Sequence, residues 1–88
     1  MKQTNLNLYR SFIAVYENGS ISTAAKVLGL KQPTVTHNIK ELEKTLGVIL
    51  FIPHARGVTP TIAATKLYKY AKAGIDAFMK GEEPFKNQ

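Results

Sequence analysis

Residues Ser20–Gly47 read S-I-S-T-A-A-K-V-L-G-L-K-Q-P-T-V-T-H-N-I-K-E-L-E-K-T-L-G. The small pair Ala24 and Ala25 lets two helices approach closely, and Gly29 supplies a left-handed corner between them. Pro33 then marks the first turn of a new helix, where its missing N–H costs nothing. The pattern predicts a helix–turn–helix at about residues 20–39. Its first helix covers about Thr23 to Leu28, capped by Ser22 or Ser20. Its second covers about Gln32 to Leu46 and stops at Gly47.

Upstream, Leu8, Tyr9, Phe12, Ile13, Val15 and Tyr16 recur at three- and four-residue steps, which predicts a leading helix from about Asn7 to Asn18. Beyond Gly47 comes V-I-L-F-I, then P-H-A-R-G and V-T-P-T. This β-branched run with its turn residues predicts a small hairpin, or wing, with Arg56 and Gly57 near the tip. Pro53 and Pro60 limit it to short strands of edge character. A long helix follows from about Pro60 or Thr61 to roughly Lys80, and Gly81 with the tail E-E-P-F-K-N-Q reads as frayed. The expected fold class is mainly α: a winged helix–turn–helix of three helices and a hairpin, then a long linker helix. The expected division is 1–60 for the winged head, 61–80 for the long helix and 81–88 for a polar tail.

The 88 residues suit one small domain, and a core of that size usually gains from a partner subunit. Twelve Lys/Arg against six Asp/Glu give a net charge of +6, a balance that suits a polyanion or an acidic surface. With no cysteine, a disulfide framework, a thiolate metal site and a cysteine nucleophile are excluded. His37 and His54 are the only histidines, too few for a metal site without further ligands. No Ser–His–carboxylate set, paired carboxylates or Gly-rich phosphate loop stands out, so neither catalysis nor a cofactor is expected. No apolar run reaches the ~18 residues of a membrane span, and the N-terminus lacks a signal-peptide core. A cytoplasmic chain is expected.

With Val35 set at zero and ~100° per residue, Val35, Ile39, Leu42 and Leu46 fall together and form the expected buried stripe of the third helix. Opposite lie Pro33, His37, Lys40 and Lys44, flanked by Thr34 and Thr36. Such an edge fits a solvated helix face. It also fits a helix that enters a DNA major groove, where hydroxyls and amides read base edges and lysines neutralise phosphates. Glu41 and Glu43 would repel phosphate, so contact is expected at the N-terminal half, which the helix dipole also favours.

Five motifs in order narrow the choice: A-A-x-x-L at Ala24–Leu28, Q-P at Gln32–Pro33, I-x-x-L-E-x-x-L-G at Ile39–Gly47, L-F at Leu50–Phe51, and R-G-V-T-P-T at Arg56–Thr61. At these spacings residues 6–80 resemble the N-terminal DNA-binding region of LysR-type transcriptional regulators. The resemblance implies a sequence-specific duplex DNA binder that regulates transcription as a homodimer. It places Gln32, Pro33, Thr34, Thr36 and His37 at major-groove positions, Arg56 at a wing position, and Ser22 and Thr23 against phosphate. Lys31 and Lys40 add phosphate-seeking charge. Four residues depart from the family pattern: Lys31 for a serine, His37 for an arginine, Pro53 for an arginine, and Ala64 for a glycine. The family's second, effector-binding domain has no counterpart here, so no small-molecule effector site is expected. An excised segment and a naturally short relative both fit.

In the long helix Ala64, Leu67, Ala71, Gly74, Ile75 and Phe78 form one stripe, with Lys66, Lys69, Lys72, Asp76 and Lys80 largely off it. Leu67, Ala71, Gly74, Ile75 and Phe78 are the expected dimerisation residues, because a helix of roughly 30 Å overhangs so small a head. Packing of the stripe on the first helix alone is the other reading, as is a basic helix lying on a membrane, which the absence of tryptophan disfavours. Tyr68 and Tyr70 lie on adjacent faces, so at least one belongs to core or interface. A protein-interaction module, and a truncated partner that pairs with a full-length regulator, are the rival functions.

Overall fold

The computed structural model describes residues 5–86. Residues 1–4 and 87–88, expected to begin the head and end the tail, lie outside the described residues. The elements run α1 (Leu6–Asn18), α2 (Ile21–Leu28), α3 (Gln32–Leu46), β1 (Phe51–His54), β2 (Gly57–Pro60) and α4 (Ile62–Glu82), closed by a 3₁₀ turn at Glu83–Phe85.

Local chemistry sets these ends. Asn5 caps α1, its side chain accepting from the Asn7 N–H at 2.9 Å. Ser20, rather than Ser22, caps α2 by accepting from the Thr23 N–H at 3.1 Å, so the helix begins two residues earlier than expected. Gly29 takes φ 68°, ψ 31° and turns the chain from α2 toward α3. Lys31 gives α3 no side-chain cap, and Pro33 occupies its first turn.

α1, α2 and α3 pack around Phe12, Val15, Ala24, Ala25, Val35, Ile39 and Leu42, all buried. Leu50 and Phe51 close the core from the side of β1, and the Phe12 and Phe51 rings lie 5.6 Å apart, tilted by 41°. Two polar groups are buried with them. Ser11 accepts a 2.8 Å hydrogen bond from Asn38 Nδ2, tying α1 to α3. Glu43 lies inside and accepts from the Leu50 N–H at 2.8 Å and the Phe51 N–H at 3.4 Å.

Glu43 and Leu46 correct the stripe expected from helical angle. Glu43 sits about 80° from Val35, at the margin of the stripe, and turns inward because the chain leaving α3 offers it two amides. Leu46 shares the stripe's direction but remains 40% exposed, since the last turn of α3 runs past the elements that cover the other three.

The hairpin pairs antiparallel from Phe51↔Pro60 to His54↔Gly57, with Ala55 and Arg56 at the turn. It is pinned to the end of α1 by the Val58 N–H, which donates to the Gly19 carbonyl at 2.9 Å. That approach requires glycine at 57: a Cβ there would stand 2.2 Å from the Gly19 oxygen, at φ 151°.

Thr61 starts α4. Its hydroxyl accepts from the Ala64 N–H and donates to the Ile49 carbonyl at 2.7 Å, and its own N–H donates to the Leu50 carbonyl. Ala64 is fully buried; Leu67, Tyr68, Ala71 and Ile75 are half-buried against the core; Tyr70, Phe78 and Met79 are exposed. The helix continues through Gly81 to Glu82, two residues past the expected end, because Gly81 keeps a helical backbone and Pro84 enters only in the next turn.

Candidate nucleic-acid interface

The N-terminal half of α3 stands clear of the head. Gln32, Pro33, Thr34, Thr36 and His37 are all exposed, while Val35 between them is fully buried. On one side of α3 an open concavity of about 920 Å³ gathers Ser22, Lys26, Lys31, Gln32, Thr36 and His37 with Pro33. Cations, hydroxyls, an amide and an imidazole therefore converge on one surface made by the start of α2, the corner and the start of α3.

Thr34 faces the opposite flank, where a second polar hollow joins it to Asn38, Arg10, Asn5 and Asn7. Thr23 is exposed on α2, and its hydroxyl accepts from Ser20 at 3.3 Å. Arg56 sits exposed at the wing turn, its backbone N–H donating to His54 Nδ1 at 3.3 Å. Of the expected contact residues, Ser22, Lys31, Gln32, Pro33, Thr36 and His37 share one surface; Thr23, Thr34, Lys40 and Arg56 lie outside it.

Lys40 lies on the wing side of α3, with Nζ 3.8 Å from Glu43 Oε1. Glu43 thus holds part of Lys40's charge, and the carboxylate expected to repel phosphate is turned inward. Lys26 was missed in the sequence: four residues after Ser22 on one helix face, it points into the same hollow. That spacing was the available signal. Arg10 and Asn38 gave none until α1 and α3 were placed side by side.

A separate groove of about 250 Å³ runs between α1 and α4. It is lined by Leu67, Ala71, Gly74, Ile75 and Phe78 together with Leu6, Tyr9 and Tyr70. The five residues expected on the pairing stripe therefore share one apolar surface. Among the described residues no group of His, Asp and Glu could hold a metal ion, and no helix is long and apolar enough to cross a membrane.

A three-helix head, an exposed third helix, a hairpin at its end and a long trailing helix define a winged helix–turn–helix module. The model of the bacterial regulatory helix-turn-helix proteins of the LysR family matches residues 6–65, and the chain belongs to that family. It is 45% identical over 76 residues to the HTH-type transcriptional regulator AbaB of Streptomyces antibioticus, a match covering 86% of this chain and 25% of AbaB. The chain thus spans about a quarter of that relative's length. Among solved structures, the CbnR DNA-binding domain in complex with DNA superposes with a TM-score of 0.85 at 30% identity, covering 92% of this chain and 93% of that one. The BenM DNA-binding domain bound to the catB site 1 DNA gives a TM-score of 0.84 at 30% identity, covering 91% and 86%. AbaB is a transcriptional regulator, and this chain shares its helix–turn–helix family.

Proposed function

We propose that this chain binds duplex DNA sequence-specifically as a homodimer, with α3 of each subunit in a major groove, and so regulates transcription in the bacterial cytoplasm. The observation that carries the reading is the free edge of α3: Gln32, Thr36 and His37 project into an open, cation-rimmed hollow. Gln32 and His37 present the amide and imidazole that base edges can be read with. Ser22, Thr23, Lys26 and Lys31 sit where they would meet one phosphate backbone, and Arg56 on the wing would meet another. The DNA complexes formed by the similar CbnR and BenM domains support DNA binding by this fold.

Residues 1–60 serve as the DNA-reading head and 61–80 as the helix that joins two copies. The groove of Leu67, Ala71, Gly74, Ile75 and Phe78 supports pairing because small residues at its floor let a second helix approach closely. Two heads on one long-helix pair would present their α3 helices to successive turns of one duplex face.

Selection of duplexes from a random-sequence pool, followed by band shifts, tests the reading. His37→Ala and Gln32→Ala should change base preference. Lys31→Ala should weaken all duplexes alike and lower the salt slope by about one. Lys40→Ala should lower the slope less, since Glu43 already neutralises part of its charge. A chain that retains no duplex, or variants that leave both preference and salt slope untouched, would refute it.

A further inference from the structure

α4 meets the head along two stripes of different character. The first is apolar and small: Ala64, Leu67, Ala71 and Ile75. Burial of such residues fixes that the helix lies on α1 but is non-directional, so it resists rolling weakly. The second stripe lies about 100° further round the helix and is directional. There the Tyr68 ring stacks on Tyr16 with centroids 4.1 Å apart and planes 11° apart. The Tyr68 hydroxyl donates a short hydrogen bond to the Glu17 carboxylate. Lys72 Nζ stands 3.6 Å from the same carboxylate and 3.5 Å from Asp76, and the Tyr16 hydroxyl donates to Thr65 Oγ1 at 3.4 Å.

This clasp flanks α4 on the side away from the groove lined by Tyr70, Gly74 and Phe78. It therefore governs how the groove face is turned relative to α3. The two ion pairs are half-exposed and weak by themselves. The charge-assisted hydrogen bond and the ring stack give the contact its direction, because both lose strength when the rings slide or the hydroxyl swings away. The phenol of Tyr68 is pushed up to about 12, chiefly by that hydrogen bond, in keeping with a firmly held proton.

We propose that Glu17, Tyr68 and Lys72 are positioning residues that fix the roll of α4 on the head and thereby set the half-site spacing a dimer accepts. The inference rests on the dimeric DNA-binding reading above. In a two-fold pair joined through α4, any roll is passed to both heads. A roll of about 10° at a radius of about 20 Å carries α3 by about 3.5 Å, one base step along the duplex.

The test uses the 88-residue chain, with duplexes selected by the wild type from a random pool and then rebuilt with the half-site spacing changed one base pair at a time. Tyr68→Phe keeps the stack and removes the hydroxyl; Glu17→Gln keeps an acceptor and removes the charge. Wild type should favour one spacing by about tenfold over its neighbours, and Tyr68→Phe should reduce that to about twofold. Glu17→Gln should fall between. Affinity for a duplex with a single half-site, and dimer mass by sedimentation, should stay unchanged in both variants. An identical spacing profile in wild type and Tyr68→Phe overturns the proposal while leaving the DNA reading intact. Equal losses on single half-sites and spaced pairs overturn it too, marking the clasp as merely structural. A wild-type chain that selects no duplex overturns the DNA-binding reading itself, and this inference with it.

Discussion

Glu43→Ala tests whether the buried carboxylate is what joins α3 to the wing. In the folded chain Oε2 accepts from the Leu50 N–H at 2.8 Å and the Phe51 N–H at 3.4 Å, and Leu50 is fully buried. Truncation leaves both amides without their side-chain acceptor. An unsatisfied buried donor costs about 1–3 kcal/mol, and the longer second bond belongs at the low end, so the pair sums to about 2–4 kcal/mol. That is a large fraction of the stability of a domain this small. At roughly 4–8 °C per kcal/mol the midpoint of thermal unfolding should fall by about 8–32 °C. Glu43→Gln retains an acceptor oxygen and nearly the same volume, and should lose only about 1 kcal/mol. Circular-dichroism melts at one fixed protein concentration measure both, because a pairing chain has a concentration-dependent midpoint. Hydrogen exchange at the amides of Leu50 and Phe51 should accelerate in the Ala variant and far less in the Gln variant. An Ala variant within about 0.5 kcal/mol of wild type would refute the reasoning. So would a Gln variant as unstable as the Ala variant, which would assign the effect to charge.

Two more perturbations address the wing and the clasp. Gly57→Ala places a methyl group where the Gly19 carbonyl oxygen stands 2.2 Å away, so the Val58–Gly19 hydrogen bond must break or the hairpin must lift. A loss of about 2 kcal/mol or more in urea unfolding is expected, with faster exchange at Val58; a neutral outcome would mean the hairpin is not seated on α1. Following phenolate absorbance with pH, Tyr68 should ionise near 12 rather than 10.0, and Glu17→Ala should bring it back toward the ordinary range. Because the folded phenol holds its proton more tightly than the unfolded one, this contribution to stability is complete below pH 10 and is lost as pH rises toward 12.

The sequence carried the elements in order because each boundary is local chemistry. Pro33 in a first turn and glycines after helical runs mark ends that no tertiary contact needs to impose. The cap at Ser20 rather than Ser22 was ambiguous for the same reason: either hydroxyl can serve, and the chain entering from Gly19 decided it. What stayed hidden was depth. Helical angle gives direction only, so Leu46 and Val35 looked alike although one lies past the edge of the head. Glu43 carried a charge that argued for solvent, and only the return of residues 50 and 51 beneath α3 supplied the amides that hold it. Lys26 was visible as a partner of Ser22 once α2 was drawn as a helix, whereas the Ser11–Asn38 bond required two helices in register.

The inward turn of Glu43 changes the electrostatics of the exposed side of α3. Counted along the sequence, α3 has Glu41 and Glu43 against Lys40 and Lys44, a balance that predicts little net attraction. In the fold Glu43 is spent on two backbone amides and on Lys40, and Glu41 is half-buried. Among the described residues only Lys40 and Lys72 pair with carboxylates. Lys26, Lys31, Lys44 and Arg56 are exposed. Lys26 and Lys31 rim the hollow beside α3, and Arg56 stands at the wing tip. Exposed cations attract over about 8 Å at physiological ionic strength, so those on one side act together on a polyanion that approaches α3. With Glu43 turned inward and paired with Lys40, the exposed cations Lys26 and Lys31 are left to set the charge of the hollow, the surface proposed above to meet DNA. On the proposed DNA reading, Glu43→Ala should therefore alter both stability at the α3–wing junction and affinity for duplex.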